Sequence, residues 1–91
     1  MKTDNWIVYI LKMNDDSLYT GATNNLKQRI EKHMSGNGSK YVRSRLPIKE
    51  VYSSSIMTKS EALKLEYKIK KLKKEDKIKE LFKNVARSSS S

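Results

Sequence analysis

The sequence predicts an α+β domain built on a three-stranded, antiparallel-type sheet. Three observations carry this. Residues 6–13 (WIVYILKM) and 18–22 (LYTGA) are β-rich runs separated by turn-forming residues. Residues 47–56 add a third, less regular apolar run. The segments after residues 24 and 58 instead space their apolar residues at helical period.

Taken in order, residues 1–5 are polar and aperiodic. The first strand carries Trp6, Val8 and Ile10 on one face and Ile7, Tyr9 and Leu11 on the other. A strand apolar on both faces is covered on both, so it reads as central. Asn14-Asp15-Asp16 is turn chemistry, and the next strand returns antiparallel. The turn decides whether Tyr9 and Tyr19 meet, because side chains alternate faces. A two-residue loop at Asp15-Asp16 pairs Lys12 with Tyr19 and sends the tyrosines to opposite faces. A three-residue loop, or a bulge, pairs Tyr9 with Gly21 and unites them. Asn and Asp tolerate the left-handed position of such a loop, so the odd loop is expected. Gly21 either clears space for a neighbour or marks a bulge.

Thr23 or Asn24 is expected to cap the first helix. Leu26, Ile30 and Met34 form its stripe, Gly36 its stop, and Arg29 and His33 share a face beside the stripe. Residues 36–45 (GNGSKYVRSR) form a basic loop or short helix, ended by Pro47, which biases Leu46 to extended geometry. In the strand at 47–56, Ile48 and Val51 are the clearest apolar positions. Its imperfect alternation and terminal serines suit a short or edge strand. Thr58-Lys-Ser-Glu61 is a capping box. Ala62, Leu65, Ile69 and Leu72 form the stripe that follows, with Glu66 on its border one turn before Lys70. Lys73-Lys-Glu-Asp76 either breaks this helix or lies within one long helix. Ile78, Leu81 and Phe82 define a last amphipathic stretch. Residues 84–91 end in four serines and are expected to be a disordered tail or an expression remnant.

Ninety-one residues are expected to form one domain, spanning 1–83, around a single modest core rather than two. Its net charge of +10 is the footprint of a polyanion-binding protein. Sixteen of the twenty basic residues are lysine, which compositional bias alone produces. Arg29, Arg43 and Arg45, flanking candidate loops and helices, favour nucleic acid. Cysteine is absent, which excludes disulfides and thiolate metal sites. One histidine excludes a polyimidazole zinc site, so a metal would be held by carboxylate and water, favouring Mg²⁺ or Mn²⁺. With no long apolar run, signal peptide or lipidation motif, the expected location is the cytoplasm, with no membrane partner.

Ile7-Val-Tyr9, Tyr19-Thr-Gly21, Arg29, His33 and Glu66, in this order, resemble the GIY-YIG nuclease superfamily, in particular its small stand-alone bacterial members. The resemblance runs from Trp6 to about Phe82. It includes Leu-Lys-Gln-Arg29 on a helix and Gly-x-Gly-x-Lys-Tyr-x-Arg43 after it. It departs at Ile7, where glycine is usual, and at Thr20, where isoleucine is usual. Many members also carry an asparagine after the glutamate; Asn84 lies farther along the chain than that position.

The resemblance implies helices flanking the sheet and a DNA endonuclease using one divalent ion, Mg²⁺ or Mn²⁺, in DNA repair or on branched DNA. Tyr9 would be the general base or position the attacking water, with Tyr19 across the scissile phosphate. Arg29 would neutralise developing charge, His33 would assist proton transfer or hold the phosphate, and Glu66 would ligate the metal. Gly21, Lys40, Tyr41, Arg43, Arg45 and Lys70 are the expected DNA contacts. Physical chemistry agrees on the requirements: an activated water, charge neutralisation and help for the leaving oxygen. A guanidinium is permanently charged and forked, so it suits phosphate. A phenol of ordinary pKa near 10 is a weak base at neutral pH without nearby cations.

Each residue singly has an ordinary structural reading: sheet tyrosines, a solvated Arg29, a dipole-complementing His33 and a Glu66–Lys70 surface pair. It is their joint order that favours chemistry. Two rival functions remain: a catalytically weak nucleic-acid-binding module that retained the nuclease fold, and a basic adaptor for an acidic protein.

Overall fold

The computed structural model describes residues 5–83. The tail at 84–91, Asn84 included, lies outside them. Seven elements follow in order: β1 (Ile7–Met13), β2 (Leu18–Thr23), α1 (Leu26–Met34), α2 (Lys40–Arg43), β3 (Ile48–Ser53), α3 (Lys59–Lys70) and α4 (Lys74–Phe82). The sheet order is β2-β1-β3 with both pairings antiparallel, so the doubly apolar strand is central and the serine-ended strand is at an edge.

The hairpin adopts the odd register. The Asp16 amide donates to the Met13 carbonyl (2.8 Å) and Met13 N–H to Ser17 (2.9 Å), enclosing Asn14-Asp15-Asp16. Asp16 takes the left-handed position at φ 69°. Tyr9 stands opposite Gly21 and Leu11 opposite Tyr19. Asp15 stabilises the turn by accepting from the Ser17 amide (3.0 Å) and hydroxyl (2.5 Å).

On the other side of β1 the register shifts between Lys12 and Met13: Glu50 faces Lys12, but Ile48 faces Met13. Lys49 is therefore the extra residue. This bulge explains the imperfect alternation of β3, because it brings Ile48 and Val51, three apart, to the same face as Met13 and Leu11. Past β3, Ser54 continues the ladder, its amide bonding the Val8 carbonyl (2.9 Å) and its hydroxyl accepting from Val8 N–H (3.0 Å). Trp6 extends it further through a bridge to Met57.

The core is double, contrary to the single core expected from length. Val8 and Ile10 pack with Ala62, Leu65, Ile69 and Leu81 from α3 and α4 on one face. Tyr9, Leu11 and Met13 pack with Val42, Leu26, Ile30, Leu46 and Ile48 on the other. The reason is β1 itself: five of its seven residues are buried, and their side chains leave in both directions.

The helix details sharpen the sequence reading. Asn25, not Thr23 or Asn24, caps α1, accepting from Gln28 N–H at 3.1 Å. Thr23 instead turns its hydroxyl to the Asn25 amide (3.1 Å) and is buried. His33, not Met34, occupies the inner face of α1's last turn; Met34 is 61% exposed and His33 2%. Thr58 and Glu61 form the expected reciprocal cap of α3. The chain does break after α3, and Lys77 Nζ closes the joint by donating to the Ile69 and Lys70 carbonyls, both at 3.1 Å. Among the described residues no helix is long and apolar enough to cross a membrane.

Independent packing on the two faces has a measurable consequence. Leu11→Ala and Ile69→Ala should each cost about 2–5 kcal/mol in chemical denaturation. The double variant should add to within about 0.5 kcal/mol. Strong coupling would show that the faces act as one core.

Candidate active site

Because the register is odd, Tyr9, Tyr19 and Gly21 share the face covered by α1 and α2. Tyr9 is 1% exposed and Tyr19 half-buried above it, with ring centroids 6.4 Å apart. His33 reaches in from α1 and completes the group. Its ring meets Tyr19 edge-on at 5.3 Å, and its Nε2 shares a 3.1 Å hydrogen bond with the Tyr9 hydroxyl.

Two glycines make this packing possible. A Cβ at Gly21 would stand 2.6 Å from the Tyr9 hydroxyl oxygen, and one at Gly38 would stand 2.3 Å from His33 Nδ1. The close approach suggested for Gly21 is therefore to Tyr9. The matching role of Gly38 was not legible, since a glycine in a polar loop gives no sign of which ring it faces. Among the described residues, His33 Nδ1 is buried with no hydrogen-bond partner, an unusual condition for a buried polar atom.

The electrostatics of the pair are opposed to ionisation. Burial pushes the Tyr9 phenol well above its ordinary pKa; Tyr19 adds to this, Arg29 opposes it, and Glu66 adds a smaller push. Burial, helped by Arg29 and Lys32, holds the His33 imidazole below its ordinary value. The resting state is thus a neutral phenol hydrogen-bonded to a neutral imidazole.

The remaining candidates are distributed around this centre. Arg29 is exposed on α1, close enough to act on both Tyr9 and His33. Tyr41 on α2 stacks beside Tyr19 at 5.9 Å, extending the rings from buried Tyr9 to the surface. Lys40 and Arg43 are exposed beside it. Arg45 is held in place: its guanidinium lies 3.8 Å from the Tyr41 ring centre, pairs with Asp15 at 3.6 Å and donates to the Tyr41 carbonyl at 3.2 Å. It ties the hairpin turn to α2.

Glu66 comes from α3, which packs on the face of the sheet opposite the tyrosines. Its side chain is 20% exposed and pairs with Lys70 at 3.0 Å, so both halves of that pair are engaged with each other. Among the described residues no group of three or more His, Asp or Glu converges as a metal cage. A single carboxylate suits a hard cation whose other positions are filled by water and substrate oxygens.

A strand hairpin, a helix bearing Arg29 and His33, and a third helix bearing Glu66 define the class. Residues 5–79 match the GIY-YIG catalytic domain, and the chain belongs to the GIY-YIG family, a superfamily of nucleases. Its relatives include UPF0213 proteins. One from Oceanobacillus iheyensis is 49% identical over 72 residues, covering 79% of this chain and 84% of the relative. Another, from Clostridium perfringens, is 54% identical over 71 residues, covering 78% and 76%. A solution NMR structure of a UPF0213 protein from Bacillus halodurans is 40% identical, covers 79% of this chain and 77% of that one, and superposes with a TM-score of 0.45.

The His33 environment is testable by NMR titration. Its midpoint should lie below the ordinary 6.5. The unfolded chain then binds the His33 proton first as pH falls, so stability should decline from about pH 6.5 downward. Gly38→Ala, by forcing the imidazole out, should move the midpoint upward. An unchanged midpoint would mean that Gly38 does not position the ring.

Proposed function

We propose that the protein is a divalent-metal-dependent DNA endonuclease of the cytoplasm, acting in DNA repair or on branched DNA. The observation that carries this reading is the Tyr9–His33 hydrogen bond on the face shared with Tyr19 and overlooked by Arg29. A phenol with a raised pKa is a poor base alone, but a neutral imidazole at 3.1 Å can receive its proton. In the tautomer with hydrogen on Nδ1, the Tyr9 hydroxyl donates to Nε2. As water attacks phosphorus, its proton passes to the Tyr9 oxygen while the Tyr9 proton passes to Nε2. The bond to the leaving sugar oxygen breaks with its electron pair, and that oxygen takes a proton from solvent.

Tyr19, the more exposed phenol, meets the phosphate and positions the water. Arg29 neutralises the charge that accumulates on the phosphate oxygens. Glu66, whose charge acts on Tyr9 although α3 packs on the other face of the sheet, would exchange its Lys70 contact to hold one Mg²⁺ or Mn²⁺, which when bound supplies Lewis-acid stabilisation of the leaving oxygen. Gly21, by leaving room beside the Tyr9 hydroxyl, keeps the phenol in place. Lys40, Tyr41 and Arg43 form the surface against which DNA lies, and Lys70, paired with Glu66 on α3, would meet the strand from the metal's side. Arg45 contributes by fixing Tyr41.

Supporting a polyanion partner, residues 24–45 carry six basic side chains against one carboxylate, Glu31. Among the described residues, Lys27, Arg29, Lys32, Lys40 and Arg43 have no ion-pair partner, whereas Lys12, Lys49 and Lys68 are paired.

Cleavage of plasmid and branched DNA with Mg²⁺ or Mn²⁺ tests the reading. Glu66→Ala should abolish cutting. Arg29→Ala should lower turnover about 10²–10³-fold with binding nearly retained. DNA that is bound but never cut would favour the rival reading, a binding module that kept the fold.

A further inference from the structure

Beside the tyrosine–imidazole cluster lies an open cleft of about 270 Å³, lined by Thr23, Asn24, Gln28, Arg29 and Lys32. Its makeup is selective. It holds two cations and two carboxamides but no carboxylate, and no ion pair engages Arg29 or Lys32 among the described residues. Thr23 and the neighbouring Asn25 are committed internally, Thr23 to the Asn25 backbone and Asn25 to the Gln28 amide. Asn24 and Gln28 are exposed residues that line the cleft. Arginine and lysine only donate hydrogen bonds, and a carboxamide can donate two, so the lining matches a ligand that only accepts. A phosphodiester is such a ligand.

A second cleft, of about 230 Å³ by the hairpin and α4, makes the contrast. It is lined by Lys12, Leu18, Lys74, Glu75 and Ile78. It presents a carboxylate and two apolar side chains, and its Lys12 is drawn to Asp16 and Glu50. A phosphate has no reason to prefer it.

We propose that Asn24, Gln28, Arg29 and Lys32 form a second phosphate subsite, seating the backbone phosphate adjacent to the one presented to Tyr9 and Tyr19. The assignment rests on the nuclease reading for the identity of the neighbouring site. Arg29 lines the cleft and also acts on Tyr9 and His33, so the two positions adjoin through one guanidinium. Lys32 lines the cleft one turn farther along α1 and acts on His33 as well. The substrate is thereby a polynucleotide gripped at successive phosphates rather than an isolated phosphate ester. Binding at the second phosphate draws the first toward the tyrosines.

The test compares two probes by NMR titration in EDTA at fixed salt: thymidine 5′-monophosphate and thymidine 3′,5′-bisphosphate. The wild-type protein should bind the bisphosphate more tightly. Lys32→Met and Gln28→Ala should each lose most of that gain, by about tenfold for the charged contact, while binding the monophosphate as before. Lys27→Met removes the same charge from α1 outside the cleft and should keep the gain. Gln28→Ala leaves net charge unchanged, so its loss cannot come from diffuse electrostatics. The subsite is overturned if the second phosphate adds nothing, if Lys27→Met loses as much as Lys32→Met, or if the variants weaken both probes equally. The expected binding pattern in a protein that leaves DNA uncut with Mn²⁺ would support the subsite and refute the nuclease reading. Cut DNA without the binding gain would do the reverse.

Discussion

Everything at the site depends on the parity of one turn. Asp16 accepts a left-handed φ of 69°, and this makes the loop three residues long instead of two. One residue fewer would send every side chain of β2 to the other face. Tyr19 would then leave the α1 side of the sheet, and Gly21 would no longer stand beside the Tyr9 phenol. A non-glycine residue in this conformation carries some strain. Asp16 is compensated by Lys49, which donates to its carboxylate at 2.8 Å from the bulged edge of β3. The bulge and the turn are thus linked: the extra residue on β3 is the one that steadies the unusual residue of the hairpin. Arg45 ties the same turn to α2 through Asp15.

The second constraint is volume. The central strand buries side chains on both faces, so each face needs its own helical cover. On the α1 side that cover includes a histidine in a position where an apolar residue would ordinarily sit. His33 is neutral because it is buried between cationic neighbours, and Tyr9 is protonated because it is buried beside another phenol and a carboxylate's field. The same enclosure that keeps Tyr9 protonated keeps His33 neutral, in the form that can accept a proton, although with less affinity for it than an ordinary imidazole. The Tyr9–His33 pair therefore resolves the difficulty that a tyrosine base presents when considered alone.

Much of this was legible in the sequence, for identifiable reasons. The central strand announced itself by apolar residues at both parities, and the α3 cap by Thr58 and Glu61 three residues apart. The register followed from the turn residues together with strand alternation. Other features were hidden because they depend on contacts distant in sequence. Met34 fits the apolar stripe of α1 by spacing, yet it is His33 that turns inward, beside a Gly38 that leaves room for its ring. The β3 bulge left a trace in its broken alternation but no signature of its position. The engagement of Arg45 by Asp15 and Tyr41 spans separate elements, so composition alone gave no sign of it. The second core was missed because a length argument treats the sheet as having one buried side.

The central claim is that His33 takes the proton released through Tyr9 during phosphodiester hydrolysis. Single-turnover DNA cleavage measured from pH 5 to 8, at saturating Mn²⁺, tests it most directly. The account predicts a rate that rises with pH through a limb centred below 6.5, coinciding with the His33 midpoint found by NMR, and the loss of that limb in His33→Asn. A limb that survives intact in His33→Asn, or one that does not track the imidazole's own titration, would contradict it.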